Sequence, residues 1–393
     1  MHPTPTAIQN LIVLGDSLSD IGIKRTSPAG VFARAANLMR TNEVGRYSDG
    51  KNWTDFVVEW MGGQSLIGTS KDDTENLTKG HRALTAVQSN VLGSHVGQGL
   101  PVRYANYAEG GAIAGSDYSP AGLGHLKDQF NRYINARLTL LGEDIQVEGT
   151  PSKKRPWRKT YTLADTADHE YSGQTLHVVW IGLNDLITAK RPCPDGKKPK
   201  AGTGIEPLIT EIWELVNLIP NSLPTNPAHE HFILVDLPSP LVSVRFQDMV
   251  ADNGEESARQ AVDNVRKFNL ALKQLATNWP PPGAKPTDGP GANPANISFV
   301  AMSDWMQFVS DHAGDFHLTP LAQEHGPVVY LGQQDTLPPK LRRAMTTSDL
   351  AHPTAAVYEL IGRQIVDVML NAYTLGKLDR TSWQAIRPFA TIK

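Results

Sequence analysis

A serine hydroxyl attacks a carbonyl only when a base takes its proton and a third group orients that base. The chain offers these residue types in separate stretches. Gly15-Asp16-Ser17-Leu18-Ser19-Asp20 follows directly on the apolar run Leu11-Ile12-Val13-Leu14. A residue just past the C-terminal end of a buried strand sits where α/β sheets place ligands, so Ser17 is a candidate nucleophile. If a helix begins there, its free N–H groups face the serine and favour developing negative charge. The competing reading is that Ser17 and Asp20 only cap that helix. For base and orienter, Ser348-Asp349-Leu350-Ala351-His352-Pro353-Thr354 places His352 three residues after Asp349. At that spacing the carboxylate reaches the imidazole Nδ1. Asp311-His312 and Asp315-Phe316-His317 are rival pairs. His229 and His231 stand at i, i+2 and could supply two metal ligands; no third is evident, so a structural or solvated role is expected.

Developing negative charge on the carbonyl oxygen needs hydrogen-bond donors. Asn184, in Trp180-Ile181-Gly182-Leu183-Asn184-Asp185, follows an apolar run and would present its carboxamide at a strand end. The run Asn106-Tyr107-Ala108-Glu109-Gly110-Gly111-Ala112 has paired glycines that let a backbone N–H approach a ligand. Each could instead be an ordinary turn after a strand. The chain has no G-x-S-x-G elbow, no P-loop and no G-x-G-x-x-G after a strand.

These residues must be held by a frame, and its periodicity is visible. Leu11–Leu14, Leu176–Ile181, Phe232–Val235 and Ile297–Val300 are short continuous apolar runs, and Val102–Tyr107 is a weaker one. Such runs predict buried parallel strands. Between them, Trp53, Phe56, Val57, Trp60 and Met61 keep the spacing of one helix face. So do Leu126 to Leu138, Ile209 to Ile219 and Val262 to Leu275, and a last helix is expected from near Pro353 through Val368. Alternating strands and helices predict a doubly wound α/β fold. Stretches near 65–100, 142–174, 188–205, 280–295 and 310–345 read as loop insertions that shape a binding site. One catalytic domain over 1–393 is expected.

Composition narrows the function class. The 393 residues are 40% hydrophobic and 20% charged, an ordinary globular balance. A net charge of −3 argues against a generic nucleic-acid binder. No apolar run approaches the ~20 residues needed to span a bilayer. The first residues show neither a basic n-region nor an apolar h-region, so no secretory signal is expected. A cytoplasmic protein, leaderless export and a mature secreted form all stay open. The single cysteine, Cys193, can make no internal disulfide; it is either a free surface thiol or of no consequence, the second being favoured. The basic cluster Lys153 to Lys159 could touch an anionic membrane surface, though a solvated loop is the favoured reading, and Gly196 to Lys200 is a weaker case. Of the sequons at Asn52, Asn76 and Asn296, the first and last fall at predicted element starts and are discounted. Trp53, Trp60, Trp180 and Trp213 sit on core-facing patterns and are read as packing.

Taken in order, Gly15-Asp16-Ser17-Leu18, Asn106 to Gly111, Gly182-Leu183-Asn184-Asp185 and Asp349-Leu350-Ala351-His352-Pro353 resemble the four blocks of the GDSL lipases and esterases, the SGNH hydrolases. Gly45-Arg46-Tyr47-Ser48-Asp49-Gly50-Lys51-Asn52-Trp53 and Val235-Asp236-Leu237-Pro238 are similar to features of the lipase branch. The resemblance spans residues from about 10 to 370. It implies a three-layer α/β/α fold around a flavodoxin-like parallel sheet of about five strands. It implies Ser17 as nucleophile, His352 as base and Asp349 as orienter. The oxyanion donors would be the Ser17 N–H, the Gly111 N–H (or that of Gly110) and the Asn184 side chain, with Asp16 as scaffold. It implies hydrolysis of a small-molecule or lipid ester with no metal or organic cofactor. Passage of the acyl group to an alcohol is the close alternative, and a non-catalytic binding module a more distant one.

Overall fold

The structure, a computed structural model, describes residues 4–35, 41–42, 45–63, 102–118, 120, 122–140, 145–148, 160–163, 173–193, 201–222, 226–243, 254–278, 296–316, 318 and 352–385. Asp349, His317, the basic stretches at 153–159 and 196–200, Asn76 and the insertions at 65–100 and 280–295 lie outside these residues.

Its frame is a five-stranded parallel sheet made of β2 (Asn10–Gly15), β3 (Arg103–Asn106), β6 (Thr175–Trp180), β7 (Glu230–Val235) and β8 (Ile297–Val300). In space the order is β3-β2-β6-β7-β8. Counted within the sheet, that is 2-1-3-4-5, the doubly wound flavodoxin-like order. The register aligns Leu14 with Val179 and Gly15 with Trp180, and Val13 with Asn106. Every residue of β2, β6 and β7 is buried. That is why these strands read as unbroken apolar runs: both faces of the sheet are covered.

The covering helices form two layers. On one side α4 (Leu126–Leu140), α5 (Glu206–Ser222) and α6 (Glu255–Thr277) pack on one another. On the other, α3 (Trp53–Trp60), α7 (Met302–Asp311) and α8 (Ala355–Met369) do the same. The result is a three-layer α/β/α sandwich. Two short helices, α1 (Ile23–Thr26) and α2 (Pro28–Ala35), follow β2. Trp53, Trp180 and Trp213 are buried and Trp60 packs against the core.

Some elements depart from the sequence reading. The 142–174 stretch, expected to be loop, contains the antiparallel pair β4 (Ile145–Glu148) and β5 (Thr160–Leu163). A two-stranded parallel sheet joins β1 (Thr6–Ile8) to β9 (Tyr373–Leu375), just ahead of the last helix, α9 (Arg380–Ala385). Helix α7 follows β8 after one residue and runs into the expected insertion at 310–345. Cys193 is buried, so a surface thiol is excluded.

The segment ahead of α3 is held by a buried ion pair. Arg46 Nη2 lies 2.9 Å from Asp55 Oδ1 and Nε 3.2 Å from Oδ2, with both side chains shut off from solvent. Arg46 Nη1 also donates to the Ile21 carbonyl. Asp55 belongs to a capping box with Asn52, whose side chain accepts from the Thr54 and Asp55 N–H groups. Burial of Asn52 in this cap agrees with its dismissal as a glycan site. Removing one partner of a buried pair strands the other charge. Asp55→Ala is therefore expected to lower the unfolding free energy by about 3–5 kcal/mol, read from the urea midpoint at unchanged m-value.

Candidate active site

All three strands that carry sequence-predicted site residues end on the same edge of the sheet. β2 and β6 are neighbours at the point where the strand order reverses, the position where open α/β sheets form a ligand crevice.

Ser17 stands in a turn two residues past β2. The Asp16 carbonyl accepts from the Ser19 N–H at 3.1 Å, and Asp16 Oδ1 from the Leu18 N–H at 3.0 Å. No helix begins at the serine, contrary to one expectation: α1 starts only at Ile23. Its opening amides are taken by Asp20, which accepts from Gly22, Ile23 and Lys24 at 2.8, 2.7 and 3.1 Å. The capping reading thus holds for Asp20 and not for Ser17. The strand end itself is clamped by the buried Gln129 of α4. Its Oε1 accepts from the Gly15 N–H at 2.8 Å and its Nε2 donates to the Gly15 carbonyl at 2.6 Å.

His352 arrives from the far end of the chain, three residues ahead of α8. Its Nε2 lies 2.9 Å from Ser17 Oγ, across a separation of 335 residues. The rivals lie elsewhere. His312 is exposed and bonds through Nδ1 to the Phe308 carbonyl within its own helix. His231 Nε2 lies 2.5 Å from the side-chain Oε1 of Gln174, and burial pulls its pKa down to about 4. Among the described residues no group of His, Cys, Asp and Glu could hold a metal.

The glycine loop after β3 is held at both ends by carboxylates. Asp20 Oδ2 accepts from the Gly110 N–H at 2.8 Å. Asp185 accepts from the Ala114 and Gly115 N–H groups at 2.8 and 3.0 Å. Gly110 is thereby committed to the scaffold. Gly111 has a φ of 77°, which favours glycine. Its N–H and that of Ser17 have no partner among the described residues.

Asn184 opens a short π-helical turn, Asn184–Thr188, after β6; such turns recur at functional sites. Its Nδ2 donates to the Ala112 carbonyl at 3.1 Å and to Asp16 Oδ2 at 3.4 Å, and its Oδ1 accepts from Thr188 Oγ1 at 2.8 Å. Gly182, at φ 126°, lets the chain turn over the ring of Phe268 in α6. Ser17, His352, Gly111 and Asn184 thus belong to one constellation linked through Asp16, Ala112 and Asp20. Asp349 lies outside the described residues.

Sequence reasoning missed the roles of Gln129, Asp20 toward Gly110, and Asp185. The Asp20 and Asp185 signals were present, since both flank predicted site residues. Gln129 left no signal, because nothing local marks a contact across 114 residues.

No protein-family model matches the chain, and no curated protein matches it. Among solved structures it is similar to a protein from Parabacteroides merdae described as a putative GDSL-like lipase. The identity is 10% and the TM-score 0.37, with 93% of this chain and 97% of that chain covered. No described helix is long and apolar enough to cross a membrane.

Beneath the site sit carboxyls that burial makes reluctant to ionise. Desolvation raises Asp16 to about 7 against the opposing Leu18 N–H bond and the nearby His352. It raises Asp20 and Asp185 to about 6 despite their backbone donors. A carboxyl whose pKa rises on folding binds its proton more tightly in the folded state. Its contribution to stability is full below the unfolded pKa, near 4, and is lost as pH climbs through the folded value. Asp16→Asn removes that loss. The melting temperature of Asp16→Asn relative to wild type is expected to rise between about pH 4 and about pH 7, measured by calorimetry. A pH-independent difference would contradict a buried carboxyl that ionises in this range.

Proposed function

We propose that this chain is a serine-dependent carboxylic-ester hydrolase that works through an acyl-enzyme on Ser17. The observation that carries the reading is the 2.9 Å approach of His352 Nε2 to Ser17 Oγ at a strand-end crevice. Hydrogen-bond contact of this kind is what a nucleophile and its general base require.

As the Ser17 oxygen bonds to the ester carbonyl carbon, its proton passes to His352 Nε2. The carbonyl oxygen takes up the negative charge of the tetrahedral intermediate. Two backbone donors, the N–H groups of Ser17 and Gly111, are uncommitted among the described residues and suit this oxyanion. The third donor is Asn184 Nδ2. One of its N–H groups, bonded to Ala112, fixes the carboxamide; the other, held only by the 3.4 Å contact to Asp16, is the one left for the oxyanion. On collapse the C–O bond to the alkoxide breaks, and His352 returns its proton to the leaving alcohol. Water then attacks the acyl-enzyme with His352 again as base, releasing the acid and restoring Ser17. By the family resemblance, Asp349 orients the imidazole and stabilises its cation. The substrate class is a small-molecule or lipid ester, handled in one catalytic domain with inserted loops.

A fluorophosphonate and a short-chain aryl ester test this directly. Wild type is expected to be labelled and active, and Ser17→Ala to lose both. Asn184→Ala is expected to lose about 10²–10³ in kcat, while His312→Ala stays at the wild-type rate. Retained labelling or turnover in Ser17→Ala would overturn the assignment.

A further inference from the structure

The turn that delivers His352 leads directly into α8. Thr354 is the N-cap of α8 by backbone geometry, yet its side chain makes no capping hydrogen bond, and the first turn of the helix holds no acidic residue. Support reaches it from a segment about 300 residues earlier. Asp49 Oδ1 accepts from the Ala355 N–H at 2.7 Å, across a separation of 306 residues. Tyr47 lays its ring beside the His352 imidazole, with centroids 4.8 Å apart and planes at 42°. Its carbonyl accepts from Tyr358 Oη of α8 at 3.2 Å. The hydroxyl end of Tyr47 meets the glycine loop so closely that a Cβ on Gly110 would collide with it. The segment is rigid at its root, where Arg46 is locked to Asp55 and to the Ile21 carbonyl. It is folded on itself by Ser48, whose hydroxyl accepts from the Gly50 N–H and donates to the Lys51 carbonyl.

From this arrangement we infer that Tyr47 and Asp49 are positioning residues for the base. Asp49 sets the height of the His352 turn by capping α8 from another part of the chain. Tyr47 ties the imidazole to the glycine loop by touching both. Neither side chain is required to touch the reacting atoms. The inference rests on the proposed pairing of Ser17 with His352. Its effect is geometric: a displacement of about 1 Å at a reacting group can cost 10²-fold in rate. Helix α8 keeps its buried face of Val357, Leu360, Ile361 and Ile365 without the cap, so loosening falls on the turn rather than on the fold.

The test follows two readouts on the full chain. The first is steady-state hydrolysis of an aryl ester by Asp49→Ala, Asp49→Asn and Tyr47→Leu. The second is the His352 imidazole signal in long-range ¹H–¹⁵N spectra, identified by its absence from His352→Gln. Asp49→Ala is expected to lose roughly 10–100-fold in kcat with KM within about threefold. Asp49→Asn, which keeps an acceptor for the Ala355 N–H, should recover most of the loss. The His352 signal should shift or broaden in Asp49→Ala and shift in Tyr47→Leu, where the ring current is gone. Should Asp49→Ala not fold, Tyr47→Leu is judged by the same criteria. Wild-type kcat in Asp49→Ala, or a loss that Asn does not recover, overturns the inference. If wild type itself shows no Ser17-dependent turnover or labelling, the esterase reading fails. The imidazole signal then decides alone, and an unchanged signal overturns the positioning role.

Discussion

A hydroxyl and an imidazole stay 2.9 Å apart only if the chain on each side is fixed independently, since 335 residues separate them and neither can follow the other. On the serine side the fixing is a sheet interior. β2 is buried along its whole length between β3 and β6, and its last residue is clamped through both backbone groups by Gln129. On the histidine side no strand is found among the described residues. The imidazole hangs from a turn before a helix, and the helix is set by its packing on α3 and α7. The geometric demand of the site therefore transmits to the packing of the helix layer against the sheet, where close-packed interiors resist displacement.

The electrostatic design of the strand-end edge follows from the same need. Loops at a sheet edge must satisfy their backbone amides without regular partners. Asp20 and Asp185 do this for the glycine loop, each taking amides from it, and Asp20 also takes the opening amides of α1. A carboxylate accepts several such bonds from fixed directions, which a neutral side chain cannot match. The consequence is burial of acidic groups, and desolvation holds Asp16 near 7 and Asp20 and Asp185 near 6. Asp236, which accepts from the Ser303 N–H at the start of α7, is raised to about 7 for the same reason. Charge that is expensive to keep buried is thus concentrated where loop order is worth most.

How much of this was legible in the sequence depends on the range of the interaction. The five core strands and the helices α3 to α6 and α8 declare themselves by runs and periods of apolar residues, because burial on one or both faces acts residue by residue. The strand-end positions of Ser17, Gly111 and Asn184 follow from the same runs. By contrast β1 and β9 are three residues each, too short to carry a period, and only their mutual pairing makes them strands. Helix α7 lies between a strand and an expected insertion and runs into the latter. Gln129, which clamps a strand 114 residues away, looks like any polar residue on a helix. Asp20 was legible only as a cap; its second bond, to Gly110 across 90 residues, was not.

The same distinction explains why Gly110 and Gly111 could not be told apart before the fold was known. Both are glycines in one loop, and either amide could face a ligand. What separates them is the other end of each hydrogen bond. Asp20 takes the Gly110 N–H at 2.8 Å, and the side of Gly110 where a Cβ would stand is filled by Tyr47. The Gly111 N–H is left over, on a residue whose φ of 77° turns the chain back toward Ala112, whose carbonyl holds Asn184. Availability of a donor is a property of everything around it, so it is decided by packing from α1, the Arg46–Trp53 segment and the π-helical turn together. A motif can nominate such a residue, and the amides the fold has already used leave the Gly111 N–H open to the proposed oxyanion role.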